Sequence, residues 1–562
     1  MPLAPISKST DMLDVAKLSP EVLVIGGGVA ALRAAIAALE AGANVTVCCK
    51  GLVGRSGNTV PSTADISAYV PELGPDDSEA TFCQDTLASG ASIADERLVR
   101  LLAERSGAAL LDLERFGIRL LRSGERIDRT RAAGHSRART YRADSTGLGA
   151  NKGLSLSVPL AQHARDLGAR CLDRTPVVGL EARDGCIAGA VAVDLATETI
   201  FRFECPAVVL AAGGASHLFA RTNGTVDATG DVIAFAMRAG AEARDLEFVQ
   251  WHPTRLDSPV PMFVTNGLLA DGAVFRDAAG REFMADYDPR GSLAPRDILA
   301  KAVYLEASSG RGVNGGVYLD CSAVLQERIA LRHAHLAETL NKHGLDFPRD
   351  WLVVSPATHF SMGGITVDCD GSSSLAGCFA AGEAAGGLHG ANRLGGNAFC
   401  EGLVFGAIAG AAASAWARTA NAVPSTGDTL EQLRAAIDLR AEDPRPALTA
   451  MWRRLRETMW ERASLVRDAS GLAAAACLIE TLADQAAALQ APGARGAARI
   501  LDLRAGLDCA RAIVAAANFR EESRGAHWRS DFPDTLDNWL GHVAMRWPSG
   551  ARDPQLHFHP RV

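Results

Sequence analysis

Glu21-Val22-Leu23-Val24-Ile25-Gly26-Gly27-Gly28-Val29-Ala30-Ala31 is the stretch on which the fold turns. Its first half is a short aliphatic, β-branched run that reads as a buried parallel strand. Its second half is the G-x-G-x-x-A form of the dinucleotide fingerprint, with Gly26, Gly28 and Ala31 in the three set positions. Gly26 permits a tight turn and Gly28 lets the backbone approach a pyrophosphate. The helix that follows offers N–H groups at its positive end. Leu32 to Ala41 is alanine-rich and helical, stopped by Gly42, and Asn44 to Cys49 forms the next strand, completing a βαβ unit.

That second strand closes on Cys48-Cys49-Lys50, where the simple nicotinamide rule asks for an acid to hold the ribose. Two later segments point to a longer cofactor. Ala207 to Ala212 is another buried strand, ending in Gly213-Gly214-Ala215, and Cys378 to Ala381 runs into Gly382-Glu383. Strand–glycine turns so far from the fingerprint suit FAD, whose ribityl chain must be met by distant loops. Glu383 is then placed to hydrogen-bond the ribityl hydroxyls.

The 562 residues exceed what one core supports, so two or three domains are expected. Apolar residues at 48% and charged residues at 22% exclude wholesale disorder. A net charge of −8 gives no reason to bind nucleic acid or acidic lipid. The 12 cysteines are scattered, without C-x-x-C or zinc spacing, so no metal site is expected and they read as buried, reduced thiols of a cytoplasmic protein. The first twenty residues carry neither a secretory nor a twin-arginine pattern. Apolar runs are interrupted by charge or glycine before they span a bilayer, so no integral membrane segment is expected.

The chain resembles the succinate dehydrogenase/fumarate reductase/L-aspartate oxidase flavoproteins, and among them the L-aspartate oxidase branch. The matching residues are Gly26-Gly27-Gly28, Lys50, Arg55-Ser56, Gly213 to Ser216, Asp245 to Thr254 (DLEFVQWHPT), Gly280 to Met284 and Leu293 to Asp297 (LAPRD). His359 to Gly364 (HFSMGG), Gly386 to Asn397 (GGLHGANRLGGN) and Glu522 to His527 (ESRGAH) complete them, in family order over nearly the whole chain. The resemblance implies an α/β fold with a Rossmann-type FAD-binding domain (1–245 and 355–420), an inserted α+β capping domain (246–354) and a C-terminal helical domain (425–562). Composition agrees at two places. Ala420 to Thr429 reads as a linker, and Leu430 to Ala517 as amphipathic helices.

The resemblance also implies hydride transfer between a small amino acid or carboxylic acid and flavin N5, paired with proton transfer by Arg296. On the residues alone, Arg296 serves equally well as an ion-pair partner of Asp297 or on the cap surface. Carboxylate recognition falls to His252, Thr254, His359 and Arg393, the last offering a bidentate fork. Thr265, Asn266 and His135 complete the substrate side. Lys50, Ser56, Asn58, Thr59, Gly213, Gly214, Glu383 and Asn397 join the fingerprint on the cofactor side. The helix opened by Leu394 to Asn397 would stabilise negative charge on the reduced flavin. Oxygen, fumarate or a quinone is the expected electron acceptor, with an iron–sulfur partner as an alternative.

Three departures bear on chemistry. Asn58 stands where membrane-complex relatives carry the histidine that bonds FAD, so a non-covalent flavin is expected. The T-E-x-x-R-G-E-G segment is Thr265 to Gly272 here (TNGLLADG), with the acid and arginine of the proton relay replaced by Asn266 and Leu269, leaving Asp271 or water. The R-E-G-G-H-S loop is Arg131 to Ser136 (RAAGHS), with Ala132 in place of the acid that meets a substrate amine. Glu125 and Asp128 are the carboxylates nearby in sequence. A substrate lacking an ammonium group suits such a site better.

Overall fold

The computed structural model describes residues 14–132, 134–421 and 423–561. Val22–Ile25, wholly buried, is the central strand of a five-stranded parallel sheet. Ala207–Leu210 and then Cys378–Ala380 lie on one side of it, Val45–Cys48 and then Arg170–Leu172 on the other. All three predicted glycine-ended strands therefore meet in one sheet, although they come from widely separated parts of the chain. A parallel sheet presents the carboxyl ends of its strands on one side, and there the glycine turns gather.

The fingerprint helix runs Val29–Glu40, three residues earlier than the alanine pattern suggests. Its cap, Gly28, has no side chain to bond the first N–H groups at the sheet's carboxyl edge, of which that of Val29 goes to Thr59 Oγ1. Across its back lies Asn397–Thr419, where Gly406 and Gly410 allow contact at backbone distance. A Cβ on Gly406 would stand 2.7 Å from Ala30 O, and one on Gly410 2.1 Å from Ala34 O. This helix corrects the expectation about apolar runs. At 23 residues and a mean hydropathy of 1.5 it passes the length and composition test for a span. Its apolar character is used against the fingerprint helix, and its glycines interrupt a span only in composition, since they extend the helix without breaking it.

Residues 249 to 361 build a second, antiparallel sheet in the order Met262–Phe263, Val249–Leu256, Leu352–Ser361, Val317–Asp320, Val274–Arg276. Its core is separate, with Leu256, Phe275, Phe283, Val303, Leu319 and Val354 among its buried members. The helix Arg296–Glu306 closes over this sheet.

Beyond the linker come the helices Arg445–Ala463, Ala469–Ala487 and Ala494–Phe519. The C-terminal region is not helical to its end. Gly541–Arg546 and Gln555–Pro560 form a hairpin whose first strand joins Ala243–Arg244. The alternation of apolar and polar residues there (Leu556, His557, Phe558, His559) has strand period, which a helical reading of the region passes over. Below this joint Arg520, itself fully buried, pairs with Glu247 at 2.7 Å and Glu522 at 3.0 Å. All cysteines are free thiols. Seven are buried, four are half-buried and Cys477 is exposed, so the buried reading holds for most of them.

Candidate active site

A cavity of about 620 Å³ opens where the parallel sheet's carboxyl edge faces the antiparallel one. Its lining follows the strand ends: Gly26 to Ala30, Cys48 to Gly51, Ala211 to Gly213 and Ala381 to Glu383. At one end stand Lys50, Ser56, Pro176, Val177 and Asp231; at the other His252, Phe263, Thr265, Asn266, Arg296, His359 and Arg393. Asn58, Thr59, Gly213 and Glu383 line the stretch between.

The near end fits a dinucleotide. Gly26 takes φ +133°, and a Cβ there would stand 2.2 Å from Ala211 O, so only glycine fits. A Cβ on Gly28 would stand 2.9 Å from Thr59 Oγ1, while Val29 N donates to that oxygen at 3.3 Å. Asn58 Nδ2 donates to Glu383 Oε2 at 3.2 Å, and Glu383 Oε1 accepts from Ser361 N at 3.0 Å, fixing the carboxylate in place. Burial raises Glu383 above the usual carboxylate range. Ser56 Oγ is held by the backbone of Leu52.

Lys50 lines the cavity, but its charge is spent inside the fold. Its ammonium lies 2.8 Å from Asp231, 2.7 Å from Asp502 and 2.8 Å from Thr229 Oγ1, which uses all three donors. Burial opposes its charge, but Asp231 and Asp502 overcome this and hold it above the ordinary lysine range. Its stem lines the cavity while its charge ties the sheet to the helix Ala494–Phe519. Ala31, Gly214, Thr254 and Asn397 do not line the cavity. Ala31 packs in the core. Thr254 Oγ1 donates to Val264 O at 2.6 Å, and Asn397 Nδ2 donates to Thr86 Oγ1 at 3.2 Å.

At the far end Arg296 and Arg393 converge on Gln250, a residue the sequence reading passes over although it lies within a quoted motif. Gln250 Oε1 accepts from Arg296 Nη1 at 3.1 Å and from Arg393 Nη2 at 2.9 Å, while its amide donates to Asn392 Oδ1 and Arg393 O. The Nε atoms of both arginines are buried without a partner. Arg296 makes no pair with Asp297, whose carboxylate accepts from Asn392 instead. Burial, then the charge of Arg393, lowers Arg296 to about 9, with Asp65 opposing. Burial lowers Arg393 to about 10, against Glu383 and Glu401.

His252 Nδ1 accepts from Thr254 N at 3.3 Å, which puts its proton on Nε2, a buried atom with no partner. His359 meets the Asn223 amide and lies 5.2 Å from the His252 ring, centroid to centroid. Burial, then Arg296, holds both imidazoles well below their ordinary values, so both are neutral. His135 lines the cavity, but its ring is used inside the fold. Nε2 donates to Gly395 O at 2.7 Å and Nδ1 accepts from Arg139 at 3.0 Å. Ala132 lines the cavity too, whereas Glu125 and Asp128 do not. Asp271 also stays out of the lining. Its carboxylate is locked to His333 at 2.8 Å and Arg328 at 2.9 Å. Phe263, Arg332, Asp65 and Arg142 line the cavity without having been singled out beforehand.

Comparison with known proteins places these observations. A model described as FAD binding domain matches residues 21–399, and one described as fumarate reductase flavoprotein C-term matches 452–562. The chain is 36% identical over 537 residues to one of the subunits of the fumarate reductase (CoM/CoB) of Methanothermobacter marburgensis, covering 93% of this chain and 96% of that one. It is 35% identical over 524 residues to L-aspartate oxidase of Caulobacter vibrioides, covering 91% and 93%. A solved mutant quinol fumarate reductase of E. coli superposes with a TM-score of 0.89 at 25% identity, covering 97% of each chain.

Proposed function

Because the chain belongs to the FAD-binding succinate dehydrogenase/fumarate reductase flavoprotein family, we propose that it exchanges a hydride and a proton with a small dicarboxylic acid that carries no ammonium group. It is an FAD-dependent oxidoreductase. FAD, when bound, supplies N5 as the hydride partner. Gly26, Gly28, Ser56, Asn58, Thr59, Gly213 and Glu383 would hold it, non-covalently since Asn58 offers no ring nitrogen to bond it. The domain division proposed is 1–245 with 355–420 for the flavin, 246–354 for the cap and 425–562 for the remainder.

One observation carries the substrate reading. Arg296 and Arg393 are held together on a neutral amide, each with an unpartnered buried Nε, beside the unpartnered Nε2 of neutral His252. Buried donors without acceptors are costly, and a carboxylate offers the acceptors they lack. Arg393 and His252 orient the acid. Arg296, already lowered to about 9, is a guanidinium able to give up or regain a proton near neutral pH, which guanidinium in water does not do. Arg332 adds positive charge to the cavity lining, which favours a dianion and disfavours an ammonium.

L-Aspartate is the second reading, favoured by the L-aspartate oxidases among the relatives. Asn266 and Ala132 count against it. Oxygen, fumarate or a quinone would take or give the electrons. That the fumarate reductase relative is one component of a larger enzyme supports an iron–sulfur partner as the alternative. A cytoplasmic location is proposed with either.

The test is anaerobic: bleaching of the bound flavin by L-aspartate, succinate and related acids, with re-oxidation of the reduced flavin by fumarate. Response to succinate or fumarate without response to L-aspartate supports the dicarboxylate. Bleaching by L-aspartate alone transfers the assignment to the second reading. Inertness to every acid overturns both.

A further inference from the structure

The acid and arginine absent from 266 and 269 have counterparts elsewhere on the cavity wall. Asp65 opens the strand Asp65–Ser67, and Arg142 closes Thr140–Arg142. The two are cross-strand partners, and Arg142 Nε donates to Asp65 Oδ1 at 2.7 Å. Both line the cavity that contains Arg296.

Among the described residues Asp65 has no rival in this position. The other carboxylates lining the cavity are Asp227, Asp231 and Glu383. Asp231 bonds Lys50 at the adenosine end, Asp227 lies beside Gly51 at that same end, and Glu383 is held by Ser361 and Asn58. Asp65 is the one carboxylate whose charge reaches Arg296. Its own surroundings are cationic: Arg142 across the strand pair, Lys152 from the following loop and Arg296 from the cap. Asp65 and Arg142 are 27% and 19% exposed, and Asp128, just before the strand Arg129–Thr130 that pairs with Thr140–Arg142, acts on Arg142 as well. The preceding residue, Ala64, takes φ +58°, a left-handed conformation that is strained for a non-glycine residue and recurs where a site demands it.

We propose that the Asp65–Arg142 pair carries the reaction's proton between Arg296 and solvent. This rests on the assignment of Arg296 as the proton-transferring group. In the oxidising direction the substrate C–H bond breaks, and the hydride leaves with both electrons to the flavin. The proton lost from the adjacent atom goes to neutral Arg296. Arg296 returns to neutrality by passing a proton through water in the shared cavity to the Asp65 carboxylate, which releases it to water beside Arg142. Reduction runs the same steps backwards.

The test uses the FAD-loaded protein with whichever acid of the bleaching panel reacts. Flavin bleaching and release of protons to a pH indicator in weakly buffered solution are followed together. Wild type should release its proton in step with bleaching. Asp65→Asn should keep the flavin spectrum and KM but lower kcat about 10²-fold, the scale of a lost proton-transfer group. Its proton release should lag behind bleaching, and one limb of its pH–rate profile should vanish. Asp65→Glu should restore most of the rate, and Arg142→Gln should behave like Asp65→Asn. A kcat near wild type in Asp65→Asn, a loss confined to KM, or proton release still in step overturns the relay. So does loss of flavin from Asp65→Asn and Asp65→Glu alike, which would make the pair structural. A wild type inert to the whole panel fails at the earlier step and removes both assignments.

Discussion

Gln250 shows what a single neutral side chain does among charges. Two guanidiniums at hydrogen-bond distance from one amide oxygen repel each other, and the amide holds them in register without neutralising either. Burial, then Arg393, brings Arg296 down to about 9, within reach of its neutral form, and the geometry of its fork matters as much as its charge. Arg296→Lys should leave the flavin spectrum intact and lower turnover by at least about 10²-fold; near-normal kcat would remove Arg296 from the mechanism. Position 132 separates the two substrate readings. Ala132→Glu should improve L-aspartate mainly in KM, by about tenfold, equivalent to about 1.4 kcal/mol, because the restored contact exists already in the ground state. Steady-state kinetics with a wild type already efficient on L-aspartate would defeat that expectation. At this scale the sequence is readable where a residue sits in a dense motif: Arg296, His252, His359 and Arg393 all reach the cavity. Asp65 is not readable, since its partner lies 77 residues away on another strand. Thr254 belongs to the same motif as His252, but its hydroxyl is spent on the backbone of Val264 and the residue lies in the core.

Helix against helix, the decisive residues are the small ones. Gly410→Ala adds one carbon where a backbone carbonyl already stands at 2.1 Å, so the helix Asn397–Thr419 must shift away from Val29–Glu40. Overpacking of this kind costs about 1–3 kcal/mol. Thermal unfolding should therefore come earlier, with flavin fluorescence appearing at the same temperature, since the displaced helix is the one that frames the cofactor. An unchanged midpoint would mean that the helices have slack. Strands ending in glycine are legible from sequence because the turn demands that residue. The C-terminal hairpin is not, because Gly541–Arg546 becomes a strand only by pairing with Ala243–Arg244, almost three hundred positions earlier in the chain. The loop after Arg131 is legible as a loop but not in its attachment, His135 to Gly395. That attachment has a pH signature. Burial lowers His135 to about 4 from an ordinary 6.5, so the unfolded chain takes up a proton that the folded one refuses. The stabilising contribution is present above pH 6.5 and is lost as pH falls towards about 4. His135→Gln removes that dependence, so the wild type's advantage in melting temperature over the variant should shrink across this window. An advantage that stays constant across it would show that the imidazole is not held neutral.

Across the whole molecule, one cavity is assembled from the fingerprint, the strand ends after Leu210 and Ala380, and the cap. On the proposed non-covalent attachment of FAD, acid precipitation should leave the yellow colour in the supernatant; colour in the pellet would contradict the reading of Asn58. The order of the central sheet carries a consequence for how the protein is made. Ala207–Leu210 has Val22–Ile25 on one side from early in synthesis, but its other neighbour, Cys378–Ala380, is translated some 170 residues later. Until then a nascent chain shows the ribosome's surroundings an apolar strand with an unpaired edge, the kind of surface that recruits chaperones or pairs with another chain. Cofactor supply cannot shorten that interval, because Glu383 and the Asn397–Thr419 helix arrive only after the missing strand. Pausing of translation between the two strands would prolong the hazard, and a cell starved of flavin would accumulate finished chains rather than arrested ones.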